Sequence, residues 1–205
     1  MSRRSDVLDV LACDEGDLRG ALRALLAGHR AALGDGPEDG VERAAAAERL
    51  RLDPHRLPRS PSAAAPPAAV TDSDDLTDRD RRLIERVRLL DDAPLGVTLC
   101  GPAYRDTPIL YANRTFRDRT GYSLAELRGR NPRLLQGPKT GDAAVDALRE
   151  AVSIWEPVTV EVWNHRRDGT PFLNRVSLRP LPGDDGTITH WAAVQEPVER
   201  PNDRG

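Results

Sequence analysis

Gly129-Arg130-Asn131-Pro132-Arg133-Leu134-Leu135-Gln136-Gly137 is the stretch on which the reading of this 205-residue chain turns. Pro132 suits the first position of a short helix, where its missing N–H is not needed, and it offers no nucleophile. Upstream lie two short apolar runs, 95–100 and 109–112, then a helical turn over 113–120 ending at Gly121. Ser123 and Glu126 have the spacing of a capping box for a second short helix. Downstream, an amphipathic pattern over 140–153 turns Val145, Leu148 and Val152 to one side. Three strand-like segments follow, 158–165, 170–181 and 187–196, with Asp168-Gly169 and Asp185-Gly186 as hairpin signals between them. The stretch therefore sits among short helices inserted between the second and third strands of an antiparallel sheet. This is an α+β arrangement of five strands with the short helices on one face.

The strands carry polar residues where an apolar core is expected. Side chains two apart share a face. Val158, Val160 and Val162 thus share one with Asn164; Phe172, Val176 and Leu178 with Asn174; Trp191 and Ala193 with Gln195. A buried amide without a partner costs roughly 1–3 kcal/mol. Three of them converging on an apolar face call for a shared polar partner. A flat heteroaromatic ring with donors and acceptors around its edge meets that need, since each carboxamide offers both. Arg133 and Arg149 stand in the helical region, and guanidinium groups suit a phosphate tail.

All eight aromatic residues lie between Tyr104 and Trp191, so the main globular core belongs to the C-terminal half. Leucines at helical spacing over 5–33 and an Ala-rich run over 41–51 indicate a helical extension covering 1–53. Five prolines within 54–74 mark a linker, 54–76. The segment 77–92 reads as a connector helix. Thr77 and Asp80 are placed to cap it, and Leu83, Ile84, Val87 and Leu90 form one apolar stripe opposite Arg81, Arg82, Glu85 and Arg88. That stripe suits packing on its own domain, a homodimer or a docked effector. The remainder divides into a domain over 93–198 and a disordered tail over 199–205.

A net charge of −3 points away from a general polyanion binder, and no direct nucleic-acid site is evident. No membrane span or signal peptide is legible, so a cytoplasmic protein is expected. No catalytic triad, metal cluster or dinucleotide fingerprint is present, and a non-enzymatic role is expected.

Several separated blocks, in order, carry a family resemblance. They are 129–137; Asn113 through Gly121-Tyr122; Asn164 through Arg175, including Asp168-Gly169; and Gly186 through Gln195. Together they resemble the LOV (light-oxygen-voltage) subclass of PAS domains, flavin-binding blue-light sensors, over about half of the chain. The resemblance implies FMN, or FAD if its tail projects from the pocket. It implies that Asn131 and Gln136 lie beside the flavin and its ribityl chain, that Arg133 and Arg149 hold the phosphate, that Asn164 and Asn174 bond the pyrimidine edge, and that Gln195 lies near O4 and N5. In this family a cysteine between the positions of Asn131 and Arg133 bonds to the flavin after light absorption. Pro132 occupies that position here. Ala193 stands where the family usually has glycine, and Trp191 where phenylalanine is common.

The resemblance therefore implies a flavin sensor that signals without a cysteinyl adduct. Photoreduction to the neutral semiquinone, with protonation at N5, would reorient Gln195. A redox sensor would use the same chemistry in the dark. The rival is a cofactor-free PAS-type interaction or dimerisation module in which Pro132 is merely tolerated. Cys100, at the end of the first strand, reads either as a substitute thiol or as a small buried hydrophobe.

Overall fold

The computed structural model describes residues 3–12, 76–183 and 185–198. The chain divides into two compact units, Met1–Pro94 and Leu95–Gly205. Of the expected helical pattern over 5–33, residues 13–33 lie outside the described residues, as do the Ala-rich helix over 41–51, residues 54–75 of the linker and the tail over 199–205.

In the first unit, α1 (Arg3–Ala12) and α2 (Asp78–Arg88) lie in contact. The Arg86 guanidinium donates to the Leu11 carbonyl at 3.3 Å. Helix α2 starts at the capping box read from sequence. The Thr77 hydroxyl accepts from the Asp80 N–H, and the Asp80 carboxylate accepts from the Thr77 N–H at 2.7 Å. Each bond satisfies one donor that the first turn would otherwise leave orphaned. Leu83, Ile84 and Val87 are buried, as is Leu90 just beyond the helix.

The second unit is the five-stranded antiparallel sheet with short helices that the sequence led one to expect. Its strands are β1 (Gly96–Cys100), β2 (Ile109–Ala112), β3 (Val158–His165), β4 (Pro171–Pro182) and β5 (Ile188–Pro197), in the order β2-β1-β5-β4-β3. Strand β5 is central, and Trp191 through Gln195 are buried without a break. Pairing of β4 with β3 stops at Leu178. Pro180 and Pro182 follow, where β4 has one unpaired edge and a missing N–H is tolerated.

Between β2 and β3 run α3 (Arg114–Thr120), α4 (Leu124–Leu127), a 3₁₀ helix (Pro132–Leu135) and α5 (Asp142–Ile154). Asn113 caps α3, and Gly121 ends it with φ of 77°, a left-handed value that glycine adopts without strain. Ser123 and Glu126 form the capping box of α4. Helix α5 begins two residues later than its sequence pattern suggests. The Thr140 hydroxyl is committed elsewhere, donating to the Trp163 carbonyl on edge strand β3 at 2.6 Å and accepting from the Gly137 N–H at 2.9 Å. The helix ends at Trp155, whose φ of 60° is left-handed. For a bulky residue that conformation costs roughly 1–2 kcal/mol.

Candidate functional site

Strand register brings the polar residues together. Val162 is opposite Asn174, Val176 is opposite Gln195, and Ala193 is opposite Thr98. All these residues consequently share one face. On it the Asn174 amide donates to Asn164 Oδ1 at 2.8 Å and to Gln195 Oε1 at 2.8 Å. The Gln195 amide in turn donates to Thr98 Oγ1 at 3.3 Å. Asn164, Asn174, Gln195 and Thr98 are all buried. The partner that the three amides require is thus supplied by one another and by a hydroxyl. Thr98 lies 97 residues from Gln195, and no local pattern pointed to it, because only the β1–β5 register brings the two side by side.

Two apolar clusters flank this chain. Val162, Val176 and Ala193 are buried together, with Ala144, Val160 and Leu178 packed against them. Cys100, Ile109, Ala112, Phe116, Leu127, Leu135 and Trp191 form the other, with Leu134 and Val152 alongside. On α5, Ala151 is buried, while Val145, Leu148 and Val152 are only half-buried. The donor set suits a ring such as flavin. Carboxamides that can each present a donor or an acceptor stand in line on a face that also carries the apolar residues Val162, Val176, Ala193 and Trp191.

The stretch 129–137 runs beside the second cluster. Asn131 caps the 3₁₀ helix, its Oδ1 accepting from the Arg133 N–H at 2.8 Å. Its amide nitrogen donates to the Asp106 carbonyl at 2.6 Å and to Thr107 Oγ1 at 3.1 Å. Pro132 is the first residue of that helix, where its ring fits the backbone. Arg133 is exposed and paired with Asp106; Arg149 is exposed and paired with Asp146. Gln136 is exposed. The structure thus joins Asn164, Asn174 and Gln195 in one buried chain, and sets Asn131, Gln136, Arg133 and Arg149 at or near the surface with other partners or none given by the fold. The role of Asp106 as partner of both Asn131 and Arg133 left no signature in the sequence.

Cys100 is fully buried, and burial pushes its thiol up to about 12. Very little of it is thiolate at neutral pH, and the thiolate is the nucleophile. Cys100 packs as a small apolar residue.

Gly137 closes the stretch against the edge of the sheet. A Cβ there would lie 2.5 Å from His165 Nδ1 and 2.6 Å from Cγ, inside any tolerable contact. His165 is buried, and Nδ1 has no hydrogen-bond partner. Gly137→Ala is expected to displace the His165 ring and cost about 1–3 kcal/mol, as overpacking does. Urea titration of the two proteins measures it, and equal midpoints would show that the loop moves aside freely.

A PAS domain family profile matches residues 94–196. Among curated proteins, the chain is 40% identical over 126 residues to the bacterioopsin transcriptional activator of Halobacterium salinarum, covering 62% of this chain and 18% of that protein. It is 39% identical to blue-light-activated histidine kinase 1 of Erythrobacter litoralis, covering 49% of this chain and 28% of the kinase. It is 37% identical to protein TWIN LOV 1 of Arabidopsis thaliana, covering 53% and 28%. The chain thus spans less than a third of the length of each of these relatives. Among solved structures, the LOV domain of an Erythrobacter litoralis blue-light-activated histidine kinase superposes with a TM-score of 0.50 at 34% identity, covering 52% of this chain and 98% of that one. The dark structure of the Aureochrome1 LOV photoreceptor gives 0.50 at 38% identity, covering 51% and 76%. Through residues 94–196 this chain belongs to the PAS domain family, with LOV-type blue-light sensors among its relatives.

Proposed function

We propose that the domain over 93–198 binds FMN noncovalently and acts as a blue-light or redox sensor without bonding a cysteine to the flavin. FAD is admitted if its tail projects out of the pocket. The observation that carries this reading is the buried chain Asn164–Asn174–Gln195–Thr98 on an apolar face. In this reading Asn164 and Asn174 hold the polar edge of the ring, while Asn131 and Gln136 line its sugar-alcohol chain. Arg133 and Arg149 take the phosphate. Both arginines are exposed, so exchanging a carboxylate partner for a phosphate costs little. Bound flavin supplies blue-light absorption and a one-electron acceptor. Pro132 supplies no nucleophile, and burial keeps the Cys100 thiol protonated.

Gln195 is the residue that answers a proton change on the ring. Its amide presents the oxygen to Asn174 and the nitrogen to Thr98, and rotation would exchange the two. Its backbone carbonyl accepts from the Arg119 guanidinium at 3.2 Å, so a shift of Gln195 is felt outside the pocket as well as along β5. Output would run through the connector helix 77–92 to a second copy or a docked effector. Such a sensor has no catalytic residues of its own and would act in the cytoplasm; among the described residues no helix is long and apolar enough to cross a membrane.

Gln195→Leu should still bind FMN, since Asn164 and Asn174 remain. Light-dependent change in hydrogen exchange along β5 should be lost, because an apolar side chain cannot exchange donor for acceptor. An unchanged light response in that variant would remove Gln195 from the pathway.

The second reading is a cofactor-free interaction module. It is favoured by the amides already satisfying one another. FMN titrated into the flavin-stripped protein separates the two: saturable one-to-one quenching of flavin fluorescence supports the sensor, and its absence leaves the module.

A further inference from the structure

Trp155 and Trp191 stack with ring centroids 6.3 Å apart and planes 14° from parallel. Trp191 is 1% exposed, stands opposite Cys100 in the sheet and sits in the apolar cluster beside the amide chain. Trp155 is 43% exposed. The fold holds it there at a left-handed φ of 60°, at a helix end where glycine is the usual residue. A stacked pair of indoles therefore links a solvent-exposed position to a buried one within the apolar cluster.

The indole nitrogens differ in one respect that matters for charge. Trp191 Nε1 is buried and has no hydrogen-bond partner. An oxidised Trp191 consequently has no base to take its proton, and its positive charge must either return or move on. Trp155, at the surface, can release its proton to water.

We propose that Trp191 and Trp155 form an electron relay that reduces the bound chromophore and carries the oxidising equivalent to the surface; this rests on the flavin reading of the site. Trp191 gives one electron to the light-excited flavin. The resulting Trp191 cation takes one electron from Trp155. The Trp155 cation loses its indole proton to water, which prevents return of the charge. A dissolved thiol then restores Trp155 with one electron and one proton and becomes a thiyl radical; two such radicals, from two turnovers, couple to one disulfide. Trp191 is the direct donor, and Trp155 determines how long the separated charge survives.

The test compares FMN-loaded full-length wild type, Trp155→Phe and Trp191→Phe. Near-ultraviolet circular dichroism of the three flavin-free proteins reads the stacking itself: the coupled indole signal of the wild type should vanish in both variants. Flavin fluorescence lifetime reads the first transfer; it should be short in wild type and Trp155→Phe, and longer by roughly tenfold in Trp191→Phe. Net photoreduction with dithiothreitol reads the completed relay, and it should fall by roughly tenfold in Trp155→Phe despite the short lifetime. Should Trp191→Phe fold poorly, Trp155→Phe alone decides, since its side chain is at the surface. Normal FMN uptake with wild-type photoreduction in Trp155→Phe overturns the relay and leaves the flavin reading intact. Failure of the wild type to take up FMN overturns both.

Discussion

Asn113→Ala is expected to unfold the second unit at a much lower temperature than the wild type. Asn113 is wholly buried, and one side chain does three jobs. Its Oδ1 accepts from the Val97 N–H at 2.8 Å and from the Phe116 N–H at 3.0 Å, and its amide donates to the Leu95 carbonyl at 2.9 Å. Alanine removes the cap of α3, worth about 1 kcal/mol. It also strands a buried N–H and a buried C=O, at roughly 1–3 kcal/mol each. The total, on the order of 3–7 kcal/mol, corresponds to a fall of about 12 °C or more in a domain of this size. Asn113→Asp keeps the cap but sets a carboxylate oxygen against the Leu95 carbonyl, so it should recover only part of the loss. Thermal melts followed by circular dichroism measure both, and a melting point for Asn113→Ala within a few degrees of wild type would contradict this account of how β1 is tied to α3.

On the proposed flavin reading, Pro132→Cys is expected to introduce thiol chemistry that the wild type lacks. The change should be all or none. The 3₁₀ helix does not depend on proline, because Asn131 still caps it through the Arg133 N–H. In the variant, blue light should bleach the visible absorption reversibly, and alkylating the new thiol should abolish that bleaching. Cys100→Ser should leave the wild-type light response unchanged, since the buried thiol at about 12 is almost wholly protonated. A Pro132→Cys protein that folds and holds flavin yet shows no thiol-dependent bleaching would mean that position 132 does not face the ring.

The fold was legible where local chemistry determines it. Thr77 with Asp80 and Ser123 with Glu126 are capping boxes in sequence and in structure, because a capping box needs only residues three apart. Period-two alternation likewise put Asn164, Asn174 and Gln195 on one face. It could not say what they bond, since that depends on register between distant strands. Thr98 therefore went unseen, and mutual pairing of the amides emerged only with the sheet assembled. Trp155 was illegible for a different reason: a tryptophan at a left-handed helix end contradicts local preference, and its stacking on Trp191 joins α5 to β5. The amphipathic pattern placed the start of α5 at residue 140, two residues early, because Thr140 bonds the edge of β3 instead. Arg133 and Arg149 were assigned to a phosphate from guanidinium chemistry and the family resemblance, and neither shows that Asp106 and Asp146 stand beside them.

The most direct test of the central claim is the absorption spectrum of the purified full chain, recorded in the dark and after blue light without air, followed by heat denaturation. The account predicts a yellow protein whose visible band is lost in light without modification of any cysteine, and whose denatured supernatant contains free fluorescent flavin. A colourless protein that takes up neither FMN nor FAD would contradict it and leave the cofactor-free module.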